Sequence, residues 1–136
     1  MSITPNKRQY GSTSIIRVAT TFTGAAQGTI WTPAAGKRIT LKGCALRARV
    51  TTALAGATPG DAIFLLDNAV ATPLVSLGTI TTATDAPGAV AYGLTFFDYD
   101  YGYQLAVGNV LKVSTLATIT TGVIAVEGFV WGDESA

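Results

Sequence analysis

Asp98 and Asp100 stand two residues apart in the segment DYDYGY, alternating with Tyr99, Tyr101 and Tyr103. Alternate residues of a strand point the same way, so two such carboxylates could reach one calcium ion or one sugar hydroxyl. A calcium loop needs further oxygen ligands at regular spacing and a glutamate, and none follows. The competing reading is an exposed acidic turn that pairs with an arginine from elsewhere. The interleaved tyrosines fit a glycan or protein contact, where a flat ring offers area at low entropic cost, as well as they fit packing at a sandwich edge. Tyr99, Asp100 and Tyr101 are therefore the candidate ligand-binding residues. Histidine is absent, which removes the usual general base, the serine and cysteine triads and imidazole metal ligands. A lone cysteine, Cys44, makes neither an intrachain disulfide nor a structural zinc site. No glycine-rich phosphate cradle of the P-loop or dinucleotide type occurs. The expectation is a protein without catalytic residues, cofactor or metal.

The elements that would hold these residues are short strands. Residues 1–12 carry no periodicity and read as an extended N-terminal arm. Residues 13–23, rich in β-branched side chains, read as a strand, as do 29–32, 38–50, 61–66, 74–81, 89–97, 110–116 and 122–131. In 38–50, Ile39 and Leu41 share one parity, whereas Cys44, Leu46, Ala48 and Val50 share the other. The switch beside Gly43 predicts a bulge there. Residues 98–102 read as a turn or edge segment, and Gly108–Asn109 as the turn of a hairpin. With the short run of Leu105 and Val107 before that turn, nine or so strands at this spacing imply one all-β domain over 13–136, an antiparallel β-sandwich of jelly-roll type.

The strand 122–131 is apolar on both sides: Val123, Ala125, Phe129 and Trp131 on one, Ile124, Val126 and Val130 on the other. A two-layer sandwich needs only one apolar side per strand. The spare side must lie under another layer or against another copy of the chain. Trp31 and Trp131 read as covers for the ends of the core, each indole N–H reaching water or a loop carbonyl, or as interface anchors.

Composition agrees with assembly. Charged residues are 12% of the 136, about half the usual share, and a surface so poor in charge favours an oligomer. No apolar run approaches the roughly 18 residues of a membrane span, and the N-terminus lacks the apolar stretch of a secretory signal. The chain is expected to be made in a cytosol. The net charge of +1 hides a segregation: eight of the nine basic residues precede residue 50, and all eight acidic ones follow residue 60. Folding could interleave the halves, complementary patches could meet between copies, or a basic face could meet nucleic acid. The last would want a basic domain with exposed aromatics among the basic residues, and neither is evident.

Three segments carry a resemblance: GTIWTPAAGKRITLKG at 28–43, GYQLAVGNVLKV at 102–113 and VEGFVWGDE at 126–134. They resemble small virion proteins of tailed bacteriophages. In those proteins a W-T-P-A-x-G-K turn opens the sandwich, an L-x-x-G-N-x-L-x-V hairpin sits late and a G-x-x-W-G-x-E run closes the chain. The resemblance implies a jelly-roll subunit, usually trimeric, mounted on the outer capsid surface of the virion as a decoration (cement) protein. Its partners would be further copies and the major capsid protein, with no direct nucleic acid and no membrane. On that basis Ile124, Val126, Val130 and Trp131, with Phe64 of the run 61–66, are the expected subunit-interface residues. Lys7, Arg8 and Arg17 are the expected capsid contacts. Related sandwiches in tail tips and fibres bind host receptors, so a receptor- or glycan-binding module is the alternative.

Overall fold

The computed structural model describes residues 13–23, 27–67, 72–88, 91–115 and 119–136, with backbone only for 72, 91, 93–97 and 99–101. Eight strands follow in order: β1 (Ser14–Phe22), β2 (Gly28–Trp31), β3 (Arg38–Ala55), β4 (Ala62–Asp67), β5 (Thr72–Thr79), β6 (Ala91–Gln104), β7 (Leu111–Ser114) and β8 (Thr121–Ser135). They form two four-stranded antiparallel sheets, β1-β8-β3-β6 and β2-β7-β4-β5. We call these sheets I and II. Strand β1 pairs with β8, β2 with β7, β3 with β6 and β4 with β5. These are the pairings of one long hairpin folded over on itself. The contacts of β3 with β8 and of β4 with β7 then close each sheet.

The two sheets bury one continuous core. Leu41, Leu46, Ala48 and Val50 of β3 and Ile124, Val126 and Val130 of β8 meet Ile63 and Leu65 of β4 and Leu111 and Val113 of β7. Burying one such aliphatic side chain stabilises the fold by roughly 1.5–3 kcal/mol. Alternation assigns the faces: in β1, Val18 and Phe22 are buried while Ile15, Arg17, Ala19 and Thr21 are exposed.

Strand β3 shows the expected bulge. Its register against both neighbours slips between Leu41 and Gly43, so Leu41 and Cys44 are both buried despite opposite parity. The slip frees Lys42 to turn outward, where its Nζ meets Asp133 at 3.0 Å.

Of the two readings of residues 98–102, turn or edge segment, the structure bears out the edge: they lie inside β6, an edge strand of sheet I, and not in a turn. Between the pairs Gly43↔Asp98 and Leu41↔Tyr103, β6 carries three residues more than β3, so this glycine- and tyrosine-rich stretch stands out of the ladder. One expectation is corrected: Gly108–Asn109 does not join a hairpin. Its flanking strands, β6 and β7, belong to different sheets, so the turn carries the chain from one layer to the other. It is fixed by Leu105 N–H on Ile39 O and Gly108 N–H on Lys37 O, each at 2.9 Å.

Candidate functional site

Sheet I turns its second face away from the core, and this face gathers the exposed chemistry. Cross-strand partners in register share a face, which sets side-chain rows across it. Ile15, Trp131, Gly43 and Asp98 form one row, Arg17, Phe129 and Ala45 the next, and Ala19, Glu127 and Arg47 a third. Ile15 is 71% exposed and Phe129 is 48% exposed, although neither is polar. Trp131 is half-buried beside them.

Next to this apolar stripe lies an ion cluster. Glu127 accepts from Arg49 at 2.7 Å and from Arg47 at 3.1 Å. Hydrogen bonds from Arg49 and Arg47 hold the Glu127 carboxyl at about 2, well below the usual carboxylate range, with burial opposing and the two positive charges helping. The same hydrogen bond raises Arg49 above its ordinary value. All three groups reach solvent, so the cluster adds little to stability; its effect is to hold two guanidinium groups at fixed places on the sheet. A groove of about 520 Å³ runs beside it between β1 and β8, lined by Arg17, Val18, Ala19, Glu127, Gly128 and Phe129.

The charge segregation along the chain resolves, for these groups, within one subunit. Lys42–Asp133, Arg47–Glu127 and Arg49–Glu127 each join the basic first half to the acidic second half, because β3 and β8 are neighbours in sheet I.

The expected interface residues separate into two groups. Ile124, Val126 and Val130 each expose 0% of their surface and have nothing left to offer another copy. That expectation is corrected: of the two apolar sides of β8, theirs is the one packed on sheet II. Trp131 is on the opposite side, facing outward. Phe64 is half-buried on β4, in the other sheet. The structure therefore does not bring the five residues together.

Of the expected capsid contacts, Arg17 is exposed on the outer face of sheet I, while Lys7 and Arg8 lie outside the described residues. Tyr99, Asp100 and Tyr101 are in β6, and their side chains are outside those described. Asp98 is exposed and Tyr103 packs partly against the core. Among the described residues no group of three or more His, Cys, Asp or Glu is placed to hold a metal ion, and no helix is long and apolar enough to cross a membrane.

Two carboxylates that carried no weight in the sequence prove structural. Asp85, 3% exposed, accepts five hydrogen bonds: from the backbone and hydroxyls of Thr81 and Thr82 at 2.7–3.0 Å, and from Tyr92 Oη at 2.7 Å. Burial pushes its pKa up, but the bonds from Thr82, Tyr92 and Thr81 together outweigh it and carry the carboxyl down to about 2. The signal for this hub was the T-T-x-T-D spacing at 81–85, which lets the carboxylate reach back to the N–H and hydroxyl groups of the residues three and four before it.

Glu134 is the second. Its Oε1 accepts the Trp31 indole N–H at 3.1 Å and the Ala34 N–H at 3.2 Å. This joins the first resemblance segment to the third. The backbone bonds from Leu105 and Gly108 to Ile39 and Lys37 join the first to the second. All three segments thus converge at one end of the sandwich and lock it.

No protein-family model, no curated protein and no solved structure matches this chain.

Proposed function

We propose that this chain is a structural virion subunit: a jelly-roll decoration protein that self-associates on the outer capsid surface of a phage head and stabilises the shell. The jelly-roll part rests on strand order. Pairing β1 with β8, β2 with β7, β3 with β6 and β4 with β5, split as 1-8-3-6 and 2-7-4-5, is what a rolled-up eight-stranded hairpin yields. The virion part rests on the resemblance, and the observation that carries it furthest is spatial. Segments far apart in the chain, each with the phage-protein pattern, meet through Glu134 and Trp31 and through Gly108 and Lys37. The patterned residues thus act as one structural unit.

Bridging neighbouring capsid proteins adds contacts that the separate proteins lack, so shell rupture becomes less favourable by mass action. The resemblance implies three copies per assembly, with Lys7 and Arg8 of the N-terminal arm along an acidic shell surface. The test is to mix the purified protein with undecorated phage heads and image them. Density at regular lattice sites supports the reading, and its absence at saturating protein rejects it. Deleting residues 2–12 is expected to lower occupancy on the heads.

A second reading is favoured by one observation: the stretch between Asp98 and Tyr103 stands out of the β3–β6 ladder at the sheet edge. A receptor- or glycan-binding module would use Tyr99, Asp100 and Tyr101 there. A hit on a carbohydrate array that Tyr99→Ala abolishes would select it.

A further inference from the structure

We propose that the outer face of sheet I is a self-complementary contact through which two copies of this chain pair face to face, about a two-fold axis running along the strands between β8 and β3. The inference rests on the self-association in the reading above and differs from it in number: a closed pair in place of a ring of three.

Exposed large apolar residues are ordinary when scattered singly. Here they are neighbours. Ile15 and Phe129 occupy adjacent rows on adjacent strands of one open sheet, with Trp131 across from Ile15 and two residues along β8 from Phe129. The periphery is charged: Arg17 is exposed on edge strand β1 and Asp98 on edge strand β6. Neither has an ion-pair partner among the described residues. The open face thus carries an apolar stripe on β1 and β8 beside charged groups on all four strands, and both kinds of group are used in protein–protein contacts.

The symmetry follows from where the large, small and charged residues lie. A two-fold axis along the strands turns the sheet over and exchanges β1 with β6 and β8 with β3. Phe129 then stands over the second copy's Ala45, its own cross-strand neighbour, so a ring meets a methyl group and the two layers interdigitate. Glu127 stands over the second copy's Arg47. That guanidinium, on a side chain 49% exposed, faces the groove between Arg17 and Glu127. Arg17 lies over the edge that carries the second copy's Asp98, one side-chain row away and within reach of its long stem. An axis across the strands through the Arg47 row lays Arg47 on Arg47 instead. The axis along the strands brings opposite charges together at the centre and at both edges. The contact is isologous, so it closes at two copies and leaves the other faces of each subunit free.

Arg17 and Asp98 are on opposite edges of a four-stranded sheet, about 14 Å apart across it, too far to pair within one subunit. This gives a clean experiment by sedimentation equilibrium of the full chain. The expected mass is twice 14.0 kDa, with dissociation on dilution. Phe129→Arg, at a side chain 48% exposed, is expected to abolish pairing while the far-ultraviolet circular dichroism of the folded chain is kept. Arg17→Asp and Asp98→Arg are each expected to weaken it about tenfold, since each sets like charges face to face. An equimolar mixture of these two variants is expected to pair as tightly as the parent chain, because the mixed pair restores opposite charges at both edges. A mixture no tighter than either variant alone overturns the proposal, as does a mass of three copies. A monomer at every concentration also overturns it and assigns the face to another occupant, residues 1–12 or the shell. Binding to phage heads by such a monomer or trimer leaves the virion reading standing, so the two failures are told apart.

Discussion

Glu134 holds the indole of Trp31 by a 3.1 Å hydrogen bond between residues 103 positions apart. Trp31 is 6% exposed, so its N–H has no ready substitute for that acceptor. The expected indole partner was water or a loop carbonyl; a carboxylate from the last strand supplies it and takes the Ala34 N–H as well.

Glu134→Ala is expected to cost about 1–2 kcal/mol, chiefly by leaving a buried indole N–H unsatisfied. Glu134→Gln keeps an acceptor oxygen at the same place and is expected to cost less than half as much. Urea unfolding of both variants, followed by tryptophan fluorescence, measures the difference. Equal losses would mean that the charge of Glu134, rather than its acceptor, is what matters.

Asp85 gives the fold an acid limit. Its carboxyl sits at about 2 in the folded chain, against about 3.9 when unfolded. A group with a depressed folded pKa stabilises above the unfolded value and loses that contribution as pH falls through the folded one. About 2 kcal/mol, fully present above about pH 5, should therefore drain away between there and about pH 2. Asp85→Asn is expected to be less stable at pH 7 by about 3 kcal/mol, because an amide cannot accept all five bonds. Its stability is also expected to be flatter than the parent's over the acid window, which unfolding curves at several pH values will read.

Gly128 lies where β8 passes close to the backbone of β3. Its φ of 137° is one that other residues rarely adopt, and an added Cβ would sit 2.0 Å from the carbonyl oxygen of Ala45. Gly128→Ala is expected to cost at least about 3 kcal/mol. Gly36, in the turn before β3, also has a positive φ, 75°, but nothing lies within 4 Å of its would-be Cβ. Gly36→Ala is expected to cost only about 1 kcal/mol. Comparing the two melting temperatures separates steric collision from backbone preference.

Cys44 is 1% exposed, and burial pushes its thiol up to about 11. The reactive thiolate is scarce at neutral pH and screened by the core. A thiol-reactive dye is expected to label the native chain only at the rate of unfolding, and to label it at once in denaturant.

The sequence carried the strands wherever one face alone was apolar, and even the slip in β3, because the change of parity at Gly43 has no other reading. It was weaker where tertiary pairing decides. The glycine-rich hairpin signal at 108–109 is a local preference, and it cannot report that β6 and β7 join different layers. For β8 the two apolar sides were correctly divided, but nothing in Ile124, Val126 and Val130 says whether a hydrophobic face meets the chain's own second sheet or another copy. The one charge between residues 122 and 131 held the clue: Glu127 shares parity with Phe129 and Trp131, so that side is the wetter one. The cluster of Glu127 with Arg47 and Arg49 was out of reach, since partners about 80 residues apart depend on which strands become neighbours. Asp85 and Glu134 were passed over because a carboxylate in a polar loop or near a chain end reads as solvated until its donors are placed around it.

Because β1 finds its place only against β8, the opening strand has no lasting neighbour in its own sheet until residues 121–135 have been synthesised. Nearly all ladder contacts bridge distant stretches of sequence, a topology that folds slowly. A growing polypeptide with seven strands and no eighth therefore presents an unpaired β1 and the open edge of β3 to the cell, and during that interval it depends on chaperones or speed to escape aggregation.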